Sequence, residues 1–124
     1  ERVQVAEFRI AVIPGDGIGT EVVPEGIRVL EAAGSRFGID FRWEEVDWGC
    51  DRYLNTGAFM PADGLESIRE HDAIFLGAVG FPGVPDHVSL WGLLIPIRQS
   101  FQQYANIRPV RLMPGIASPL AGRQ

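Results

Sequence analysis

The sequence predicts an α/β fold with a largely parallel sheet, because short apolar runs alternate with segments of helical spacing. Residues 8–13 (FRIAVI) form the first such run, and residues 72–76 (DAIFL) form another that is nearly all apolar. Residues 39–48 begin with an alternating pattern that is typical of a strand. With 46% hydrophobic residues, the chain has enough apolar side chains to build a core around these strands.

The segment after the first predicted strand has the features of an amphipathic helix. Thr20 suits the N-cap position, and the apolar residues from Val23 to Ala33 recur at intervals of three and four. Gly34 and Gly38 are suitable places for this helix to end.

Shorter elements are predicted farther along the chain. Residues 55–57 (NTG) predict a turn, and residues 61–68 predict a short helix. Residues 89–104 have a mostly helical pattern, in which Pro96 must start or kink a helix because it lacks an N–H group.

The order of these elements predicts where a ligand would bind. Ligands of parallel α/β sheets gather at the carboxyl ends of the strands, where residues 14–19 and 77–85 form loops. Residues 107–113 predict a last strand, and Pro109 within it indicates an edge position or an interruption.

Charge and composition exclude several classes of function. All 11 basic residues are arginine, which excludes a Schiff-base lysine, a lysine general base and a phosphate-loop lysine within these 124 residues. The net charge of −5 disfavours nucleic acid and anionic membranes as partners. The single cysteine, Cys50, excludes an internal disulfide and a multi-cysteine zinc site. His71 and His87 form no metal-binding pattern, and we expect His71 at a helix C-terminus. With no apolar run long enough to span a membrane and no signal peptide, we expect a cytoplasmic protein.

The glycine-rich loop differs from a standard dinucleotide fingerprint. From Gly15 to Gly19 the spacing is G-x-G-x-G, and Thr20 stands where the third fingerprint glycine belongs. Asp16 would place a carboxylate near a bound pyrophosphate, and Asp40 is expected at the start of its strand, away from the ligand end. On the residues alone, a tight strand-to-helix turn is the competing explanation.

Several motifs in order nevertheless resemble one enzyme family. Residues 14–22 (PGDGIGTEV) resemble the opening of the β-decarboxylating dehydrogenases, which include the isopropylmalate, isocitrate and tartrate/D-malate dehydrogenases. Residues 72–80 (DAIFLGAVG) resemble the strand and cofactor-side loop of that family. Arg98, together with the arginine in residues 106–109 (NIRP), resembles its substrate-carboxylate site. The resemblance implies the isopropylmalate dehydrogenase-like fold, and this chain would be the N-terminal portion of a larger α/β sandwich.

The resemblance also assigns candidate site residues. The implied substrate-binding residues are Arg98, Arg108, Leu94, Trp91 and Ser89, and the implied cofactor-binding residues are Ile18, Ala78 and Val79.

The chemistry of the two arginines suits this assignment. A guanidinium group binds a carboxylate through two charge-assisted hydrogen bonds, although an exposed arginine paired with a surface acid is the alternative. Leu94 should lie one turn before Arg98 on the same helix face, while Leu93 is expected in the core. Leu94 offers no polar group for a third carboxylate, which argues against isocitrate. Trp91 stands where isopropylmalate enzymes commonly carry an acid, and Ser89 could instead be a helix N-cap.

Residues 84–92 and 109–122 most resemble the tartrate/D-malate branch. That resemblance implies NAD and a divalent Mn²⁺ or Mg²⁺ ion, with K⁺ as a further candidate, acting on a small 2-hydroxy dicarboxylic acid. The lysine base, tyrosine proton donor and metal-binding aspartates of the family match no position here. We therefore expect about the first third of a homodimeric subunit, with no internal domain boundary and no catalytic or metal-binding residue in this chain. The alternatives are isopropylmalate dehydrogenase, or a non-catalytic module that binds a dicarboxylate or a partner.

Overall fold

A computed structural model describes residues 6–120 and contains one sheet of three parallel strands. The strands are β1 (Ala6–Gly15), β2 (Ile39–Glu45) and β3 (Ala73–Ala78), in the order β2-β1-β3. Ala6 of β1 pairs with Ile39 of β2, and Ile10 of β1 pairs with Ala73 of β3. The predicted parallel sheet is confirmed, and β1 lies at its centre.

One helix, α1 (Gly19–Phe37), covers one face of this sheet. Val12 of β1 packs there against Val23 of α1, and both side chains are buried. Gly38 ends the helix in the left-handed conformation (φ 70°), and its N–H donates a hydrogen bond to the carbonyl oxygen of Gly34. Gly38 is thus the predicted stop, because glycine adopts this conformation without the strain that a Cβ would bring.

Shorter helices cover the opposite face. They are α2 (Cys50–Thr56), α3 (Gly64–Ser67), α4 (Asp86–Ser89) and α5 (Ile95–Ser100), with one π-helical turn (Leu90–Leu94) between the last two. Ala11 and Ile13 of β1 pack in the core of this face with Leu93, as expected of Leu93. The alternate residues of β1 therefore face two separate cores, and the sheet lies between two layers of helices.

Pro96 explains where the predicted long helix divides. A proline inside an α-helix removes one hydrogen bond and its ring crowds the preceding turn. The structure places a π-helical turn directly before α5, with Pro96 in the first turn of that helix. The helical path is thereby kept continuous from Asp86 to Ser100.

Three local predictions are wrong. Thr20 lies inside α1 rather than capping it; Ile18 is the N-cap residue, and the Thr20 hydroxyl donates to the carbonyl oxygen of Gly17 at 2.8 Å. Residues 55–57 are the end of α2, with Gly57 as its left-handed C-cap (φ 80°), so the turn signal marked a helix terminus. Residues 107–113 form no strand and pair with no other strand among residues 6–120. Pro109 lacks an N–H group, and an isolated strand gains nothing without a partner edge.

Apolar side chains are exposed along the irregular part of the chain that follows residue 102. Tyr104 is 97% exposed, and Ile107 and Val110 are nearly as exposed. None of the helices in residues 6–120 has both the length and the apolar character needed to cross a membrane.

The amino half of the sheet contains a network of charged groups that the sequence did not predict. His71 lies beyond the C-cap of α3, Ile68, so the expected helix C-terminal position is wrong. The His71 side chain is buried, and its Nε2 lies 2.8 Å from Glu44 Oε2. Arg9 donates to the other carboxylate oxygen of Glu44 at 2.9 Å. The hydrogen bond from Arg9, and then that from His71, lower the pKa of Glu44. The other ring nitrogen, Nδ1, is buried and has no hydrogen-bond partner among the described residues.

Candidate functional site

The two predicted ligand-side loops meet at the carboxyl edge of the sheet. The glycine loop, residues 14–19, spans the end of β1 and the start of α1, and residues 77–85 span the end of β3 and the segment after it. The Asp16 N–H donates to the carbonyl oxygen of Ala78 at 2.7 Å, which joins the two loops directly. The two loops of the predicted site are thus held together by a main-chain hydrogen bond.

The glycines of this loop allow backbone segments to approach closely. Gly15 has a left-handed φ of 73°, and a Cβ there would collide with the carbonyl oxygen of Ala78. Gly19 has no such φ, but its Cβ would collide with the carbonyl oxygen of Pro14 and would lie 2.7 Å from the Ala78 nitrogen. Gly17 has a φ of 48° and open space around it. The tight turn with glycine dihedrals therefore holds for Gly15 and Gly17, whereas Gly19 is required by close approach to the main chain at the start of α1.

The Asp16 side chain is buried beneath the loop, with only 4% of the residue exposed. Its Oδ1 accepts the Cys50 N–H at 2.8 Å, and its Oδ2 accepts the Gly80 N–H at 2.9 Å. In phosphate-binding glycine loops, backbone N–H groups of this kind face the bound anion. Here the Asp16 carboxylate accepts the N–H groups in place of a bound anion. Both carboxylate oxygens of Asp16 are therefore bonded within the protein, as are the N–H groups of Cys50 and Gly80.

The predicted cofactor-binding residues surround this edge. Ile18 is 59% exposed at the start of α1, where its apolar side chain faces outward. Ala78 ends β3 and is held by Asp16, and Val79 is half-buried against the larger core. A flat apolar ring could contact Ile18 beside this backbone, so the residues present are compatible with a nicotinamide group. Asp40, in contrast, pairs with Glu7 near the amino end of the sheet, as expected.

Arg98 and Leu94 line the same small cavity, which confirms that they share one helix face. The cavity has a volume of about 160 Å³ and lies against the strand residues Ile74 and Leu76. Gln103 also lines it. Arg98 is half-buried in the last turn of α5, and no ion pair involves it among residues 6–120. The cavity therefore combines one guanidinium group with largely apolar walls.

The structure does not bring the other predicted substrate residues to this cavity. Trp91 is 61% exposed on the π-helical turn. Ser89 is buried, and its hydroxyl donates to the carbonyl oxygen of Asp86 at 3.1 Å. Ser89 ends α4 and occupies the N-cap position of the π-helical turn, as the alternative expected, but its side chain makes no cap hydrogen bond. Arg108 is exposed in the irregular segment and does not line the cavity beside Arg98. The substrate roles of these residues stay predictions.

Metal-ligating side chains do not cluster in the described part of the chain. No group of three His, Cys, Asp or Glu side chains that could hold a metal ion occurs among residues 6–120.

Cys50 is expected to be chemically inert while the protein is folded. Its side chain is fully buried, and burial, together with the neighbouring Asp16 carboxylate, raises the pKa of the thiol from 9.0 to about 12. We expect no reaction with Ellman's reagent at pH 8 until the chain unfolds, because the thiolate is the reactive form.

The folded state holds the thiol proton of Cys50 more tightly than the unfolded state. The stability that this group contributes is therefore complete below pH 9.0 and is lost as the pH rises towards about 12. Reaction of Cys50 with Ellman's reagent in guanidinium chloride is the positive control. Rapid reaction of the folded protein would contradict the burial of Cys50.

The isocitrate/isopropylmalate dehydrogenase family matches residues 9–124 of this sequence. The chain belongs to that family. The parallel sheet, the glycine loop and the loop after β3 all lie within or overlap the matched residues, so the family assignment covers the whole candidate site.

Individual members of the isocitrate/isopropylmalate dehydrogenase family are close in sequence. D-malate dehydrogenase [decarboxylating] from Escherichia coli is 56% identical over 119 residues, which are 94% of this chain and 33% of that protein. Tartrate dehydrogenase/decarboxylase from Pseudomonas putida is also 56% identical over 119 residues, with the same shares of the two chains. The chain thus spans about a third of the length of these relatives.

Solved structures of the family share the fold. A β-decarboxylating dehydrogenase from Thermococcus kodakarensis superposes with a TM-score of 0.58 and 35% identity, over 78% of this chain and 27% of that one. Isocitrate dehydrogenase from Methylococcus capsulatus superposes with a TM-score of 0.62 and 29% identity, over 78% and 26% of the two chains. The predicted fold class is confirmed by these superpositions.

Sequence reasoning missed the structural role of Asp16. An acidic residue between two glycines suggested only an unfavourable charge near a ligand. A signal was nevertheless available, because a carboxylate that follows a buried strand within a glycine-rich turn is well placed to accept backbone N–H groups. The identity of its partners, Cys50 and Gly80, required the fold.

Proposed function

We propose that this chain is the N-terminal part of a decarboxylating dehydrogenase that acts on a 2-hydroxy dicarboxylic acid of the tartrate or D-malate type. The 56% identity to relatives with those names is the observation that carries the proposal. We further propose that the complete subunit uses NAD and a divalent cation, Mn²⁺ or Mg²⁺, and acts as a cytoplasmic homodimer.

The cavity at Arg98 supports this class of substrate. A guanidinium group half-buried among apolar side chains has few competing partners, so it can hold one carboxylate through paired hydrogen bonds. Holding the carboxylate fixes the neighbouring hydroxyl-bearing carbon relative to the cofactor, which is the main requirement for hydride transfer. Arg108 is proposed to hold the substrate together with Arg98 once the rest of the subunit orders its segment.

The cofactor and the cation supply the reactive chemistry in this proposal. When bound, the nicotinamide would supply a hydride acceptor and the divalent cation would supply Lewis-acid polarisation. The residues described above contribute binding and orientation. Ile18, Ala78 and Val79 would border the nicotinamide, and Arg98 would hold the substrate.

Isopropylmalate is the second candidate substrate, because the cavity beside Arg98 has apolar walls. A branched alkyl substituent could contact Leu94, Ile97 and Leu76 as readily as these side chains exclude a third carboxylate. A substrate panel on the complete subunit separates the candidates. We expect NAD reduction with D-malate or tartrate at a kcat/KM well above that for 3-isopropylmalate. A strong preference for 3-isopropylmalate would favour the second candidate, and binding of dicarboxylates without turnover would favour a non-catalytic module.

Residues 1–124 on their own are expected to be inactive. They correspond to about a third of the relatives' length, and the resemblance places the base, the proton donor and the cation ligands at none of their positions. The measurement is the absorbance of NADH when the purified segment is incubated with D-malate, NAD⁺ and Mn²⁺. The complete subunit is the positive control, and NADH formation by the segment would contradict the expectation.

A further inference from the structure

The Asp16 carboxylate connects three segments that are distant in sequence. Cys50 begins α2, which follows β2, and Gly80 lies in the loop that follows β3. Asp16 itself follows β1. Its two carboxylate oxygens accept the N–H groups of Cys50 and Gly80 at 2.8 and 2.9 Å. Hydrogen bonds from N–H donors to an ionised carboxylate are stronger than those to a neutral acceptor.

The surroundings of Asp16 are shaped to allow these contacts. A Cβ at Gly49 would lie 2.7 Å from Asp16 Oδ1, so only glycine leaves room for the carboxylate beside the Cys50 N–H. Gly80 has a φ of 152°, a conformation that residues with side chains rarely adopt, and this conformation accompanies an N–H directed at Asp16. The main chain of Asp16 adds the bond from its N–H to Ala78 and one from the Gly19 N–H to its carbonyl oxygen, at 2.9 Å.

We propose that Asp16 is a positioning residue for the cofactor side of the site. Both of its carboxylate oxygens bond to protein N–H groups and the residue is buried, so it acts through the backbone that it holds rather than by touching a ligand. The backbone that it holds includes Ala78 and the step from Val79 to Gly80. Asp16 thereby sets the distance between this loop and Ile18 on the glycine loop. This inference rests on the proposed function, which assigns the cofactor to that edge.

The decisive variant is Asp16→Asn in the complete subunit. The asparagine has nearly the same shape, but its NH₂ group must face one of the two N–H donors, so one hydrogen bond is lost and two donors oppose each other. We expect the KM for NAD⁺ to rise about tenfold, with kcat changed about threefold or less, since a lost charged hydrogen bond typically has this size of effect.

Asp72→Asn is the matched control. The Asp72 carboxylate also accepts a backbone N–H, that of Arg9 at 2.8 Å, but it lies at the opposite end of the same sheet. The Asp72→Asn substitution should change the midpoint temperature of thermal unfolding but leave the KM for NAD⁺ unchanged. Equal KM changes in the two variants, or none in Asp16→Asn, would overturn the inference.

A second measurement needs no variant. In the wild-type protein without NAD⁺, the Cys50 and Gly80 amides should exchange hydrogen much more slowly than those of neighbouring exposed loop residues, and NAD⁺ should leave their rates unchanged. Fast exchange of both amides would overturn the inference even where Asp16→Asn fails to fold. A wild-type subunit that reduces no NAD⁺ would instead refute the proposed function, and the exchange rates would still decide whether Asp16 holds the loops.

Discussion

Replacing Gly19 by alanine is expected to destabilise the protein by at least about 3 kcal/mol, near the upper end of what overpacking costs. The added Cβ would collide with the carbonyl oxygen of Pro14 and lie 2.7 Å from the Ala78 nitrogen. Both neighbours are main-chain atoms at the carboxyl edge of the sheet, so neither can rotate away as a side chain would. Relief of the collision requires α1 to move away from the sheet, which would open the core around Val23.

Gly17→Ala is the control for this prediction. Gly17 lies in the same loop and has a φ of 48°, but no atom lies within 4 Å of the position that an added Cβ would occupy. The expected cost is about 1–2 kcal/mol, which reflects the left-handed backbone alone. Gly17→Asn should cost less, because asparagine tolerates that conformation. Denaturant titrations of the variants give the free energies of unfolding. Equal losses of stability in Gly19→Ala and Gly17→Ala would show that the close approach of Gly19 to the main chain is unimportant.

The second large effect is expected on activity. Arg98→Gln in the complete subunit should lower kcat/KM for D-malate or tartrate by about 10²- to 10³-fold, because a buried carboxylate would lose its charged partner. Arg98→Lys keeps the charge but loses the planar pair of donors, so an intermediate loss is expected. The apolar neighbours of Arg98 in the cavity give water little opportunity to replace the missing group.

Arg28→Gln provides the matched control for this substitution. Arg28 is exposed on α1 and pairs with Glu25 one turn away, so the change in net charge is the same while the cavity is untouched. Its kcat/KM should stay within about twofold of wild type, in line with the small energies of exposed ion pairs. A comparable loss in both variants would mean that overall charge, rather than a carboxylate contact at Arg98, controls the reaction.

The sheet was predictable because β1 and β3 are short apolar runs packed between two layers. Residues 8–13 fall within β1, all of residues 72–76 except Asp72 fall within β3, and the helical spacing after Val23 falls within α1. The local preferences of Gly57 and Thr20 indicate the ends of helices only to within a residue or two. Gly57 is the C-cap of α2, and Thr20 is the second residue of α1. Residues 107–113 have a strand-like composition, and composition alone cannot provide a partner edge.

The site was predictable only in part for a related reason. Arg98 and Leu94 lie four residues apart on one helical path, so their shared cavity follows from local spacing. The Asp16 bonds join residues that are 34 and 64 positions apart, and no local pattern reports such contacts. The hydrogen bond between Glu44 and His71, which are 27 positions apart, could not be predicted for the same reason.

The central position of β1 also determines when this edge can form during synthesis. Parallel neighbours must be brought together from distant parts of the chain, which makes their assembly slow compared with helix formation. The glycine loop leaves the ribosome before β2 and β3 do, and the second partner of Asp16 follows 64 residues after it. Until Gly80 has left the ribosome, the Asp16 carboxylate has no second N–H partner and remains solvated. The candidate site is therefore among the last parts of this sheet to be completed, although its glycine loop is among the first to be made.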